Sequence, residues 1–296
     1  MPTYLEIGLV ALYAVVVWWG ATGLILYLNR RPESTYQSSL WGAAAVAAAG
    51  LIGAVLLRDS TDVAGAILGF TCALAIWAFN EMLFLMGVVV GTHREPSPPH
   101  ERGWLRFKRA SLAIAYHELA LAASLFVLAA ISMGAANATA FWTFALLWAM
   151  RLSTKLNIFL GVPNTAEELL PRRIAYLQSF FRTGPASPLF PMSIALSAGA
   201  VLVILTHVLA SDATAFTVAA GTLLLTFAVL GLIEHLMLIA PFSSGALWGD
   251  PASRVVDPFS RADHVSNIVS ANGTRARRVA LVSNVSERAK EPGERQ

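Results

Sequence analysis

The stretch from Val63 to Val90, Val-Ala-Gly-Ala-Ile-Leu-Gly-Phe-Thr-Cys-Ala-Leu-Ala-Ile-Trp-Ala-Phe-Asn-Glu-Met-Leu-Phe-Leu-Met-Gly-Val-Val-Val, holds one charge, Glu81. A run of about 20 apolar residues is long enough to cross a bilayer as a helix. An acid inside such a run costs about 2.5–3.5 kcal/mol on insertion scales, so Glu81 needs protein or water around it. The reading of this stretch decides the fold class, and similar runs lie on both sides of it.

Seven such runs are expected, over roughly 4–28, 39–57, 63–90, 110–134, 138–160, 191–209 and 213–240. The 296 residues are 56% hydrophobic and 13% charged, with a mean hydropathy of +0.61. The expected fold is all-α: a polytopic helical membrane bundle of about seven spans. The first run has no basic n-region and no clean small-residue cleavage site, so it reads as a retained helix rather than a leader.

Lysine and arginine placement sets the expected orientation. The N-terminus and the 2–3, 4–5 and 6–7 turns share one basic residue, Arg58. The opposite set of segments holds Arg30, Arg31, Arg94, Arg102, Arg106, Lys108, Arg109, Arg172, Arg173 and Arg182, and the C-terminal tail adds more. The N-terminus is therefore expected outside and the C-terminus in the cytoplasm. The net charge of +3 then records topology and attraction to anionic headgroups; it is no sign of nucleic-acid binding. The lone Cys72 excludes an intramolecular disulfide and a cysteine-based metal site.

The outer loops, Arg58–Asp62, Gly134–Thr139 and Ser211–Ala213, are short. The inner ones are longer. The 3–4 loop, His93–Arg109, sets Trp104, Leu105 and Phe107 among basic residues, as a headgroup-level segment does; an ordinary positive-inside loop explains the same composition. In the 5–6 loop, Thr165 and Glu168 have capping-box spacing. An amphipathic helix is expected over 165–182, with Ile174, Leu177, Phe180 and Phe181 opposite Arg172, Arg173, Gln178 and Arg182. The expected membrane domain is 1–250, followed by a polar, Arg- and Ser-rich cytoplasmic tail over 251–296 that reads as disordered. No large internal repeat supports an inverted-repeat transporter.

At 1.5 Å per residue, several polar residues fall at one level in the cytoplasmic half: Glu81 roughly 13 Å deep, His117 and Glu118 at roughly 11–12 Å, and Glu234 and His235 at roughly 8–9 Å. Arg151, Lys155 and Asn157 sit near the inner end of the fifth run. These eight residues are the candidate functional cluster. One reading is structural: ion pairs and hydrogen bonds that fix helix register. A second is a carboxylate–imidazole metal centre such as di-iron. The usual Glu-x-x-His spacing is absent, however, and adjacent His-Glu residues point about 100° apart. A third is a tetrapyrrole site with His117 and His235 as ligands, since Ala113 and Gly231 stand one turn before them. No phosphate loop, Ser-His-Asp triad or Cys-x-x-Cys pair occurs.

Longer strings carry a resemblance: Trp77-Ala-Phe-Asn-Glu-Met-Leu-Phe-Leu-Met-Gly87, Glu95-Pro-Ser-Pro-Pro99, Tyr116-His-Glu-Leu-Ala120, Arg151-Leu-Ser-Thr-Lys-Leu-Asn-Ile-Phe-Leu-Gly-Val-Pro-Asn164, Pro188-Leu-Phe-Pro191 and Glu234-His235. Together they resemble the photosynthetic complex assembly protein PuhE family of anoxygenic phototrophic bacteria, across most of residues 1–250. The resemblance implies the bacterial inner (intracytoplasmic) membrane. It also implies work on reaction-centre and light-harvesting subunits or on the enzymes that supply bacteriochlorophyll. It brings no known reaction and no catalytic residue. A non-enzymatic assembly or regulatory factor is the first expectation, with bacteriochlorophyll or a precursor, rather than iron, as what it would hold. A membrane enzyme of pigment metabolism with a metal or acid–base site is the second, and a transporter the third.

Overall fold

The computed structural model describes residues 4–98, 100–165, 167 and 170–240. Glu168 of the expected capping box and the tail 251–296 lie outside the described residues. Seven long helices follow one another: α1 Tyr4–Asn29, α2 Tyr36–Leu56, α3 Val63–Leu85, α4 Gly103–Ser132, α5 Thr139–Leu160, α6 Leu189–Val208 and α7 Ala215–Met237. No strand occurs among the described residues, only an isolated bridge between Val162 and Thr183. The protein is an all-α polytopic bundle.

Six of the seven helices are long and apolar enough to cross a membrane. The exception is α5. It has 22 residues, but Arg151, Lys155 and Asn157 lie along it. Its polarity is matched by its position, because α5 packs against α3, α4, α6 and α7. The polar residues of α5 thus meet other helices, while Trp142, Leu152 and Leu160 stay exposed on its outer face.

α3 is the main hub, packed against α1, α2, α4, α5 and α7. Against α1 and α7 it buries Phe70 and Leu74 with Val10, Ala14, Leu223 and Phe227. On its other side, Ala73 and Ile76 meet Leu121, Leu128 and Phe144 from α4 and α5. α2 approaches it closely through small residues; a Cβ on Gly50 would stand 2.9 Å from the Cys72 carbonyl oxygen. Such close approach is how membrane helices gain packing without a hydrophobic driving force.

Two helix ends differ from the expected spans, each for a local reason. α3 stops at Leu85 rather than near Val90, because Gly87 takes φ +73°, a left-handed turn that suits glycine. α4 starts at Gly103 rather than near residue 110. Its basic first turns lower hydropathy without opposing helix formation, so Trp104 and Phe107 stack on helix there, with ring centroids 5.3 Å apart.

Between α5 and α6, Pro171 starts a 3₁₀ segment over Arg172–Phe180, kinked at Ile174. Ile174, Leu177 and Phe180 face inward, onto Phe84, Val90 and Ala113. The segment therefore lies across the ends of α3 and α4. Arg106 of α4 ties it down, donating to the Phe180 carbonyl at 2.7 Å.

Candidate functional site

α5 organises the polar cluster because its residues at helical spacing reach three neighbours. Trp148 and Lys155 lie two turns apart on one face, and both hold Glu118 of α4. The Trp148 indole donates to Oε2 at 3.0 Å, and the Lys155 ammonium to Oε1 at 2.6 Å. Arg151, between them, donates to Glu234 Oε1 of α7 at 3.0 Å. On the other side of α5, Ser153 lies 2.9 Å from His235 Nε2. Asn157 donates to Ser193 Oγ of α6 at 2.8 Å. One helix thus makes side-chain links to α4, α6 and α7.

The ion pairs differ in setting. Lys155 and Glu118 are largely enclosed, whereas the Arg151 and Glu234 side chains are 39% and 38% exposed. Arg151 also lies within electrostatic range of Glu81 and Glu118. The cluster therefore holds three carboxylates and two fixed cations, and Glu81 is the acid with no cation of its own.

Glu81 faces His117. Its Oε1 stands 4.0 Å from His117 Nε2, too far for a direct hydrogen bond. Glu81 is 8% exposed and His117 1%. Neither His117 ring nitrogen, nor Glu81 Oε1, has a hydrogen-bond partner. Buried polar groups in native proteins are usually satisfied, so this pair stands out among the described residues.

The backbone around His117 is unusual too. Its N–H donates to the Val90 carbonyl at 3.0 Å, and Thr92 N–H donates to the Leu112 carbonyl at 2.9 Å. The non-helical strap after α3 is thus fastened to the middle of α4. Irregular backbone at such depth is tolerated where protein covers it, and Met86 and Val90 are fully buried. Gly91 makes the contact possible: a Cβ there would stand 2.1 Å from the Leu112 carbonyl oxygen.

The eight residues expected to cluster lie on α3, α4, α5 and α7; direct bonds join Lys155 to Glu118 and Arg151 to Glu234, whereas Asn157 and His235 bond Ser193 and Ser153 instead of one another or the acids. The two histidines differ in state. His235 has both nitrogens engaged, Nδ1 with the Gly231 carbonyl at 2.8 Å and Nε2 with Ser153. His117 has neither engaged, but its ring stacks on Phe84 with centroids 4.2 Å apart. A tetrapyrrole needs a free nitrogen with open space beyond it. His235 lacks the first and His117 the second, so the residues present do not fit a macrocycle in this conformation. Nor do any three His, Cys, Asp or Glu side chains among the described residues come together to hold a metal ion.

Phe84, Trp148, Ser153, Ser193 and Gly91 belong to the site and were not singled out from sequence. Trp148 had a usable signal, standing three residues before Arg151 and seven before Lys155. Phe84, which also carries the Lys155 ammonium 5.6 Å from its ring centroid, looks like any lipid-facing aromatic.

A family model described as "Protein of unknown function (DUF3623)" matches residues 4–254. An "Uncharacterized 30.4 kDa protein in puhA 5'region" of Rhodobacter capsulatus is 34% identical over 262 residues, which cover 84% of this chain and 95% of that protein. No solved structure matches.

Proposed function

This chain belongs to the DUF3623 family, and we propose on that premise that it is a membrane-embedded assembly or regulatory factor of the bacterial photosynthetic apparatus. The observation that carries the reading is the near-full-length similarity to a protein of the puhA 5' region. The resemblance to the PuhE family supports the same reading. In it, the protein sits in the inner (intracytoplasmic) membrane with its N-terminus outside and the tail 251–296 in the cytoplasm. Its lipid-facing helices contact reaction-centre or light-harvesting subunits, or the enzymes that hand them bacteriochlorophyll. The ion pairs at Glu118 and Glu234 hold the helices in register so that this outer surface keeps one shape.

The test is deletion of the gene in a phototrophic host, with complementation by the wild-type chain. Near-infrared absorption of the pigment–protein complexes should fall and return with the complementing copy. An unchanged spectrum and unchanged reaction-centre content in the deletion strain would end the proposal.

A second reading, a membrane enzyme of pigment metabolism, draws on the buried Glu81–His117 pair. A buried carboxylate and imidazole that face each other without hydrogen-bond partners are the side-chain types that carry acid–base work. In this reading Glu81→Gln leaves protein level unchanged and makes a pigment precursor accumulate. Purification from a pigment-making host separates the readings further: bound pigment without iron favours the assembly factor, and stoichiometric iron favours the enzyme.

A further inference from the structure

Side-chain exposure falls stepwise through the polar cluster. It is 39% and 38% at Arg151 and Glu234, 21% and 20% at Lys155 and Glu118, 10% at Glu81 and 1% at His117. In a membrane bundle an exposed side chain meets lipid or water, and its place on the helix tells which. Arg151 comes seven residues after Phe144, which is fully buried, so the two share a face of α5. Trp142 and Leu160, nine residues to either side of Arg151, are exposed; about two and a half turns put them on the opposite face. Glu234 follows Phe227 by seven residues and precedes Leu238 by four, and both of those are buried. Ile233 and Leu236, on other faces of α7, are exposed. The Arg151–Glu234 pair is therefore open on faces that turn inward, away from lipid.

Its place along the helices agrees. Glu81 stands four residues before the end of α3 at Leu85, and Glu234 three before the end of α7 at Met237, each about one turn from an end of the bundle. The strap after α3 runs to α4, where the Val90 carbonyl accepts from His117 N–H, and the 3₁₀ segment packs on that same side. Arg151 lies within electrostatic range of Glu81 and Glu118, so the exposed pair adjoins both deeper acids.

We propose that this gradient marks an aqueous inlet. Water and small hydrophilic solutes enter beside Arg151 and Glu234, from the end where α3 and α7 stop, and reach Glu81. Phe84, stacked on His117, covers the far side. Ionisable side chains within membrane spans face a bundle interior or a water-filled cavity, and a partly exposed ion pair on two inward faces calls for the cavity. The inlet rests on where these side chains stand. The enzyme reading would gain from it the exchange path that a buried acid–base pair needs.

Cysteine accessibility tests it, in membrane vesicles of both orientations, on the full chain carrying Cys72→Ala. Glu234→Cys leaves two acids facing two cations, so the cluster stays balanced. A charged methanethiosulfonate reagent that cannot cross membranes should modify this cysteine from the same side as Arg102→Cys, and not from the side of Asp59→Cys. Ile233→Cys, one residue away and more exposed at 46%, should stay unmodified, because a thiol in apolar surroundings does not form the reactive thiolate. Arg151→Cys with Glu234→Gln places the thiol on the other partner without stranding a charge, and it should react from the Arg102→Cys side too. A Glu234→Cys protein present at wild-type level and as unreactive as Ile233→Cys would overturn the inlet. So would modification from the Asp59→Cys side. If Glu234→Cys fails to accumulate, the double variant decides by the same two outcomes. Glu81→Gln, the test of the enzyme reading, leaves positions 151 and 234 untouched, so either idea can fail alone.

Discussion

At the scale of single residues, the two histidines of the cluster make opposite demands. His235 spans α7 and α5, so replacing it removes contacts that exist. His235→Gln should lower stability by about 1–2 kcal/mol, the worth of one or two hydrogen bonds, measured by denaturant titration in mixed micelles. His117 has no hydrogen-bond partner to lose, but its buried ring stacks on Phe84, so His117→Gln should cost about 0.5–1.5 kcal/mol, the worth of that ring pair. If His117 matters to function, its variant will change near-infrared absorption at equal protein level, while the His235 variant will change it only in proportion to protein lost. Unchanged spectra in both leave these residues a purely structural role. Gly91 is the third case. Gly91→Ala drives a methyl group into the Leu112 carbonyl, 2.1 Å away. It should cost about 1–3 kcal/mol, seen as a lower unfolding temperature, with Gly8→Ala, whose surroundings are open, as the control.

At the scale of elements, α5 is a polar helix whose side chains tie it to α4, α6 and α7. The Lys155–Glu118 link is the test of that idea because it is the more enclosed pair. Lys155→Met strands a carboxylate; Lys155→Met with Glu118→Gln does not. A double-mutant cycle should give a coupling of about 1 kcal/mol, the usual range for polar pairs between membrane helices. A coupling near zero, measured by unfolding in mixed micelles, would reduce the pair to a bystander. Much of this architecture was legible in the sequence, because an apolar run that outspans a bilayer has few other uses. The ends of α3 and α4 were not, since Gly87 and Gly103 act through backbone angles that hydropathy does not register. Depth along each helix put the eight polar residues at one level. Depth is only one coordinate. Which way each side chain turns decides whether His235 is engaged and His117 is not, and that follows from neighbours on other helices. The strap at 86–93 was hidden for the same reason, inside a run that reads as continuous helix.

At the scale of the whole molecule, the uneven distribution of lysine and arginine makes a prediction about sidedness. Alkaline phosphatase, which folds only outside the cytoplasm, should be active when fused after Asp59 and inactive when fused after Ser97 or at the C-terminus. Activity at the C-terminus would invert the whole arrangement. The arrangement also has a history, because helices leave the ribosome in order. Glu81 emerges on the third helix and Glu118 on the fourth, but Arg151 and Lys155 arrive only with the fifth. While residues 119–155 are being made, the two acids are without Arg151 and Lys155. α3 and α4 are each apolar enough to cross a membrane with these acids included, so Glu118 would wait in its helix for Lys155. The Lys155–Glu118 link is therefore also a matter of timing, since its acid is made 37 residues before its cation.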